Sequence, residues 1–192
     1  MRKACVFCAS SQRVGEEYVR DAERLGRLLV ENGWGLVYGG GSTGLMGAVA
    51  DAVLAAGGEV TGVIPRFMVE VEWAHRGVRD MRETETMSER KEMLMELSEA
   101  VITLPGSTGT MDEFFEAMAN KKLGLYAKPL ILLNTKGFFD GTLEQMRRMV
   151  EENFMTQKHL DVLSVAGSPE EVIEILKRPA EEALSLRDAA VK

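Results

Sequence analysis

Residues 100–113 have the sequence AVITLPGSTGTMDE, in which an apolar run precedes a glycine-rich loop and two acids. The run Ala100–Leu104 predicts a strand buried on both faces, because it is nearly continuous rather than alternating. Helical spacing follows in Met111, Phe114, Phe115 and Met118. A strand that leads through a glycine-rich loop into a helix is typical of α/β proteins with a parallel sheet.

Other apolar runs repeat this strand pattern, at Ala4–Cys8, Leu36–Tyr38, Val60–Ile64 and Leu130–Leu133. Helical spacing separates them, in Val19, Ala22, Leu25 and Leu29 and again in Met46, Val49 and Val53. This alternation predicts an α/β fold with right-handed crossovers. A last helix is predicted from Ser168 to Leu176, because Ser168 suits an N-cap and Pro169 the first helical position. The stretch Arg66–Met81 predicts no clear element.

The composition limits the class of protein. A chain of 192 residues, 45% apolar and 28% charged, suits one domain, which we expect over residues 1–178 with a C-terminal tail over 179–192. A net charge of −7 argues against a long nucleic-acid footprint. No apolar run approaches the roughly 20 residues of a membrane span, and no signal-peptide pattern opens the chain. We therefore expect a cytoplasmic protein that contacts neither nucleic acid nor membrane.

The cysteines and histidines predict no metal or redox site. Cys5 and Cys8 have C-x-x-C spacing, but side chains three apart on a strand point to opposite faces. A redox pair of this spacing lies at a helix N-terminus instead. His75 and His159 are isolated in the sequence, so no cluster offers a metal its ligands.

The first glycine-rich loop, GGGSTGLMG at residues 39–47, follows a predicted strand and opens a helix. Glycines let the backbone approach a ligand, and a helix N-terminus offers free N–H groups to an anion. The candidate phosphate-binding residues are Gly40, Gly41, Ser42, Thr43 and Gly44. The loop is neither a Walker A motif nor a complete dinucleotide fingerprint, which argues against a nicotinamide oxidoreductase. The alternative is a tight turn whose glycines serve packing.

The second glycine-rich loop could form another phosphate cradle by the same physics, through Gly106, Gly109 and Thr110. Asp112 in the first helical turn is explained by its favourable interaction with the helix dipole. Glu113 needs another explanation, because a carboxylate beside a bound phosphate repels it. Such a carboxylate could hold ribose hydroxyls or stabilise a developing positive charge.

A basic pair precedes the strand of the second loop. Arg90 and Lys91 lie in the helical segment Met87–Met93, on which adjacent basic residues are usually solvated. The start of this helix, however, should lie at the carboxyl edge of the sheet, where open α/β sheets bind ligands. The pair is therefore a candidate for the site.

Together these segments resemble the LOG (Lonely Guy) family, the cytokinin riboside 5′-monophosphate phosphoribohydrolases, many of which were once labelled "possible lysine decarboxylase". The resemblance rests on residues 39–47, on Met87 with Arg90 and Lys91, and on P-G-x-x-G-T-x-x-E from Pro105 to Glu113. It runs from Lys3 to about Leu176. It implies a Rossmann-like three-layer sandwich with a mainly parallel sheet, a homodimer, and hydrolysis of a nucleoside 5′-monophosphate to free base and ribose 5-phosphate. We expect no cofactor.

The resemblance also assigns residues. It implies that Arg90 and Glu113 are the catalytic pair and that Glu72 is a further substrate-contacting acid. Lys91 and the loop residues Gly106, Ser107, Thr108, Gly109 and Thr110 match ligand-binding positions. Glu113 would stabilise the positive charge that grows on the ribose and hold its hydroxyls. Arg90 would either assist the departing base or orient Glu113 and phosphate.

The sequence departs from the family pattern at several positions. Ser107 replaces a usual glycine, Thr108 a common tyrosine and Ser88 a frequent histidine, and Asn120-Lys121-Lys122 replaces W-A-Q. We expect phosphate binding to survive if φ of Ser107 stays negative. The change at residues 120–122, on the base or dimer side, favours AMP over N6-modified AMP. Residues Met111–Leu125 would form either a dimer surface or core.

The same segments leave two other functions to consider. A non-enzymatic carrier of a phosphorylated nucleotide or cofactor, resembling molybdenum-cofactor carrier proteins, needs the loops but not the Arg90 and Glu113 pair. A pyridoxal-dependent decarboxylase needs a Schiff-base lysine with a partner for the pyridinium nitrogen. The sequence around Lys91, Lys121 and Lys122 provides no such context.

Overall fold

Parallel strands form a single seven-stranded sheet in the computed structural model, which describes residues 1–70 and 73–179 of the chain. The strands are β1 (Arg2–Phe7), β2 (Trp34–Tyr38), β3 (Val60–Pro65), β4 (Asp80–Thr84), β5 (Ala100–Thr103), β6 (Leu130–Leu133) and β7 (Ser164–Ala166). Their order across the sheet is β4-β3-β2-β1-β5-β6-β7, and every neighbouring pair is parallel.

Helices cover both faces of this sheet. They are α1 (Glu16–Glu31), α2 (Gly44–Ala55), α3 (Arg66–Glu70), α4 (Met87–Glu96), α5 (Thr108–Lys122), α6 (Asp140–Glu151), α7 (Gln157–Asp161) and α8 (Pro169–Leu176), with a 3₁₀ turn at Thr135–Gly137. One core packs α1, α2 and α8 against the sheet, and the other packs α4, α5 and α6. The predicted three-layer α/β sandwich is therefore confirmed, with a wholly parallel sheet.

The strands predicted from apolar runs are confirmed as β1, β2, β3, β5 and β6, whereas the edge strands β4 and β7 were missed. An edge strand faces solvent along one side, so it needs no continuous apolar run. β4 has the largely polar sequence DMRET, and β7 has only three residues. The predicted closing helix is confirmed as α8, where the Glu171 amide donates to Ser168 Oγ at 3.2 Å.

Cys5 and Cys8 contribute to different cores, as the strand argument predicts, and burial raises the pKa of both thiols. Across residues 1–70 and 73–179, no group of three or more His, Cys, Asp or Glu side chains could hold a metal. No helix in that same part of the chain is long and apolar enough to cross a membrane. Glu72 lies outside the described residues. So does the predicted C-terminal tail over 179–192, except for Pro179.

The strand order places a crevice at the centre of the sheet. β1 pairs with β2 on one side and with β5 on the other, so the chain leaves these central strands in opposite directions. In open α/β sheets ligands bind beyond the carboxyl ends of the strands at this point. The segments that follow β1, β2 and β5 therefore meet at one place.

The contact between α1 and α2 depends on Gly26. A Cβ on Gly26 would lie 2.8 Å from both the Val49 carbonyl oxygen and the Ala52 Cβ, closer than packed atoms tolerate. We expect Gly26→Ala to lower the free energy of unfolding by about 1–3 kcal/mol through overpacking. Urea denaturation measures this. The matched control is Gly141→Ala in α6, where a Cβ meets no atom within 4 Å; equal effects of the two changes would contradict the argument.

Candidate active site

The Arg90 side chain joins three segments at the carboxyl edge of the sheet. Its Nε donates to the Val63 carbonyl at 3.1 Å, and its Nη2 donates to the Gly39 carbonyl at 3.2 Å. Its Nη1 donates to Glu113 Oε1 at 2.9 Å. The side chain is 5% exposed. One guanidinium therefore ties the end of β3, the loop after β2 and helix α5 together.

Local sequence explains how Arg90 reaches this position. Helix α4 begins after Thr86, whose hydroxyl accepts a hydrogen bond from the Glu89 amide at 3.1 Å, so Arg90 falls in the first turn. On the receiving side, a Cβ at Gly39 would collide with the guanidinium. Gly40 follows with φ of +77°, a conformation that favours glycine. Gly39 thus makes room for the Arg90 guanidinium, and Gly40 allows the turn beside it. Both facts support the alternative in which the glycines of this part of the loop serve packing.

Glu113 is a buried carboxylate with one ion pair. It is 6% exposed, and it pairs with Arg90. Burial raises the pKa of Glu113, and the nearby Arg90 charge opposes that rise. Its Oε2 makes no hydrogen bond within residues 1–70 and 73–179, and Glu113 lines a cavity. A ligand could therefore donate to this oxygen.

That cavity has a volume of about 430 Å³ and lies at the crevice of the sheet. Its walls come from the segments after β1, β2 and β5, from the end of β3 and from the start of α4. The lining residues are Cys8, Ser10, Gly39, Gly41, Ser42, Thr43, Met46, Ile64, Met68, Trp73, Met87, Arg90, Ser107, Gly109, Thr110, Asp112 and Glu113. The structure thus brings both predicted loops and the predicted catalytic pair to one cavity.

The second loop presents free donors to this cavity. The first-turn amides of α5, at Thr108, Gly109 and Thr110, have no hydrogen-bond acceptor in the described part of the chain. A Cβ at Gly109 would meet no atom within 4 Å, so a ligand has room to approach. Ser107 has φ of −91°, which agrees with the expectation for this position. This helix start is therefore suited to an anion.

The first loop differs, because much of its donor capacity is already used. The Leu45 and Met46 amides, in the first turn of α2, both donate to the Ala9 carbonyl, at 2.9 and 3.2 Å. Thr43 Oγ1 donates to the Ser10 carbonyl at 2.8 Å. These carbonyls compete with a phosphate for the same groups. Helix α5 is therefore the stronger candidate cradle, and phosphate binding by Gly40–Gly44 stays a prediction.

The lysines occupy other surroundings. Lys91 Nζ pairs with Asp112 Oδ2 at 3.0 Å and with Glu116, and these contacts raise the pKa of Lys91. Lys91 borders α5 but is not among the residues found to line the cavity. Lys121 is buried, and its Nζ donates to the Lys128 carbonyl at 2.8 Å. None of residues 120–122 lines this cavity. Their position therefore does not support the expectation that the departure from the family pattern at these residues changes base selectivity.

Sequence reasoning missed the apolar part of the cavity wall. Met46, Ile64, Met68, Trp73 and Met87 line it, and three of these are methionines, which sequence patterns assign to cores. An aromatic residue in the stretch that predicted no element, Trp73, was the one available signal. The dimer-or-core question for Met111–Leu125 has a divided answer: Phe114 and Met118 are buried, whereas Phe115, Leu123 and Leu125 are exposed.

Comparisons with known proteins agree with these features. A family model described as "Possible lysine decarboxylase" matches residues 46–176. A probable cytokinin riboside 5′-monophosphate phosphoribohydrolase of Oryza sativa subsp. japonica is 39% identical over 176 residues, which cover 92% of this chain and 70% of the relative. A cytokinin riboside 5′-monophosphate phosphoribohydrolase of Rhodococcoides fascians is 36% identical over 179 residues, covering 93% and 90% respectively.

Solved structures share the fold. The molybdenum cofactor binding protein of Rippkaea orientalis superposes with a TM-score of 0.71 at 24% identity, covering 92% of this chain and 95% of that one. The molybdenum cofactor carrier protein of Chlamydomonas reinhardtii has a TM-score of 0.71 at 20% identity, covering 92% and 96%. At these identities the likeness concerns the fold alone.

The buried ion pair predicts a pH-dependent defect in Arg90→Met. Without Arg90 the pKa of Glu113 rises further, and an ionised, unpaired carboxylate in this site costs about 3–5 kcal/mol of unfolding free energy. The cost is absent where Glu113 is protonated in both folded and unfolded states, and it grows as the pH rises through the raised folded pKa. Denaturation at about pH 5 and about pH 8 should show the larger loss at the higher pH.

The double variant Arg90→Met/Glu113→Gln is the control, because it removes both charges. Its loss of stability relative to the wild type should be smaller at the higher pH than that of Arg90→Met. An equal loss for Arg90→Met at both pH values would show that Glu113 does not carry the effect.

Proposed function

The chain belongs to the LOG family, and from this premise we propose that it hydrolyses the N-glycosidic bond of a nucleoside 5′-monophosphate. The products would be the free base and ribose 5-phosphate. The observation that carries the proposal is the buried Arg90–Glu113 pair, which shares one cavity with the free amides at the start of α5. This combination provides an anion site and, beside it, a carboxylate with a free oxygen.

The spacing along α5 suits such a substrate. Glu113 lies four residues beyond Gly109, a rise of about 6 Å along a helix axis. A phosphate on the first-turn amides would therefore leave the attached ribose beside the Glu113 carboxylate. Binding energy at the phosphate, away from the scissile bond, then serves to position the reacting carbon.

Glu113 would act on the ribose. Cleavage of an N-glycosidic bond develops positive charge on the sugar, and a carboxylate stabilises that charge or activates the attacking water. Its free Oε2 would accept a hydrogen bond from a ribose hydroxyl or from the water. Such a group must be ionised to act, and burial disfavours ionisation. A nearby permanent cation is therefore needed to favour the charged form.

Arg90 would supply that cation and act mainly as a positioning residue. Three hydrogen bonds hold its guanidinium against Val63, Gly39 and Glu113. Of the two tasks considered from the sequence, orienting Glu113 is the one these contacts support. The site would then enter the transition state with its charges already arranged, which is how preorganised electrostatics lower a barrier.

The two alternatives from the sequence explain less. A carrier of a phosphorylated ligand has no use for a buried Arg90–Glu113 pair at the cavity wall. A pyridoxal enzyme needs a lysine that can lose its proton, but two carboxylates raise the pKa of Lys91 and favour its ammonium form. Lys121 is buried at the far end of α5, with its Nζ on a backbone carbonyl. Hydrolysis therefore accounts for more of the site than either alternative.

The assay that tests the proposal separates free base from nucleotide by HPLC, with AMP and isopentenyladenosine monophosphate as substrates. We expect the wild type to release base and Glu113→Gln to be slower by about 100-fold or more, because one preorganised electrostatic contact is lost. Glu92→Gln, an exposed carboxylate on α4, is the matched control and should keep full activity. The ratio of the two wild-type rates decides between AMP and the N6-modified nucleotide.

Thermal stabilisation by AMP without any release of base would replace this proposal with the carrier function. Near-wild-type turnover of a folded Glu113→Gln protein would remove Glu113 from the mechanism.

We also propose a homodimer that uses the exposed apolar residues of α5 and the segment after it. Phe115, Leu123 and Leu125 are exposed there, and clustered apolar residues on a surface mark interaction sites. Sedimentation velocity should give a dimer for the wild type and a monomer for Leu125→Asp. Phe154→Asp, at an equally exposed apolar residue after α6, should stay dimeric; a wild-type monomer would contradict the proposal.

A further inference from the structure

Trp73 is a large aromatic side chain that is 59% exposed at the wall of the cavity. Among the cavity-lining residues that the structure describes, it is the one aromatic side chain. We propose that the Trp73 indole is the platform on which the nucleotide base stacks, and that it makes the site selective for purine over pyrimidine nucleotides. The proposal rests on the proposed function for the orientation of the ligand.

The backbone around Trp73 is anchored to the first glycine-rich loop. Residues 73–75, here called the strap, pair antiparallel with residues 40–42 through a bridge between Ala74 and Gly41. The Ser42 amide donates to the Trp73 carbonyl at 3.2 Å, and the His75 amide donates to the Gly40 carbonyl at 2.8 Å. The position of the indole along the cavity wall is therefore set by main-chain hydrogen bonds.

The His75 ring fastens the other end of the strap to α2. Its Nδ1 accepts a hydrogen bond from the Gly77 amide at 3.0 Å, so in the neutral ring the proton lies on Nε2. Nε2 lies 3.1 Å from Asp51 Oδ1, to which it donates. The strap is thus held at both ends, and Trp73 stays beside the cavity without packing into either core.

The cavity has two chemically different ends, which determine how a nucleotide would lie. Free amides of α5 form the end beyond β5, on one side of β1. Trp73 lies at the other end, beyond β2, because its amide donates to the Met68 carbonyl at 3.3 Å and Ala74 bridges to Gly41, which lies beside Met46. In the first loop the Leu45 and Met46 amides donate to Ala9 and the Ser42 amide donates to the strap, whereas the first-turn amides of α5 have no acceptor within the described chain. A phosphate on α5 therefore directs the base toward Trp73.

An indole is suited to this contact. Stacking of a base on an aromatic side chain changes affinity by roughly 5- to 150-fold when the aromatic is truncated to alanine. A purine offers two fused rings to the indole and a pyrimidine offers one, so the larger base gains more from the contact. Because the indole is more than half exposed before binding, the contact also removes apolar surface from water.

Fluorescence tests the contact directly, because the chain has only two tryptophans. Trp34 is 5% exposed, lies at the start of β2 under the Arg2 guanidinium at 4.6 Å, and is thus at the opposite edge of the sheet. In a Trp34→Phe/Glu113→Gln protein, which reports Trp73 and is expected to turn over substrate slowly, AMP should quench the emission. CMP should quench it less, and ribose 5-phosphate, which lacks a base, should leave it nearly unchanged.

Kinetics and calorimetry complete the test. Against the Trp34→Phe control, Trp73→Ala should raise KM and Kd for AMP by roughly 5- to 150-fold, with kcat changed far less, and Trp73→Phe should restore part of the affinity. Equal quenching by ribose 5-phosphate and AMP, or an AMP affinity within about twofold in a folded Trp73→Ala protein, would overturn the stacking proposal.

The two proposals can fail separately. Base-dependent quenching of Trp73 in a wild-type protein that releases no base supports stacking and overturns hydrolysis. Normal hydrolysis with unchanged affinity in Trp73→Ala supports hydrolysis and overturns stacking.

Discussion

The hydrogen-bonded ion pair between Arg90 and Glu113 is the interaction on which the site depends. Two opposite charges are almost completely removed from solvent, an arrangement that is costly unless each charge satisfies the other. The Arg90 donors also bind the carbonyls of Val63 and Gly39, so the pair fixes the relative positions of two strand ends and α5. The same contacts that hold the crevice together thus keep a carboxylate oriented toward the cavity.

This constraint explains choices in parts of the chain that are far apart. Gly39 lacks a side chain because the guanidinium occupies that space, and Thr86 caps α4 so that Arg90 lies in its first turn. The strand order brings the two loops together, because β1 lies between β2 and β5 and the segments that follow these strands meet at the crevice. A protein with the same strands in another order would not bring these residues together.

The two glycine-rich loops show that a similar pattern can have different physical consequences. Both follow a central strand and open a helix, and both suggested a phosphate cradle. In the first, Ala9 accepts from the amides that a phosphate would need, and the strap pairs with the loop. In the second, the corresponding amides of α5 have no acceptor within the described chain. The donors that a neighbouring segment leaves free, more than the glycines, distinguish the two loops.

The sequence by itself determined the α/β class, the central strands, the helices that cover them and the closing helix, because burial on both faces imposes continuous apolar runs and helical spacing. It also pointed to the two loops and to Arg90 and Glu113, since charged residues beside a ligand-binding edge need a chemical reason.

Only the tertiary structure decided the edge strands, the competition for the first loop's amides, the pairing of Lys91 and the place of Trp73. Each of these depends on which atoms from distant segments come within hydrogen-bonding or packing distance. The sequence shows which hydrogen bonds and packing contacts a residue is able to make. The folded chain decides which of these contacts form, because it determines which atoms lie close to that residue.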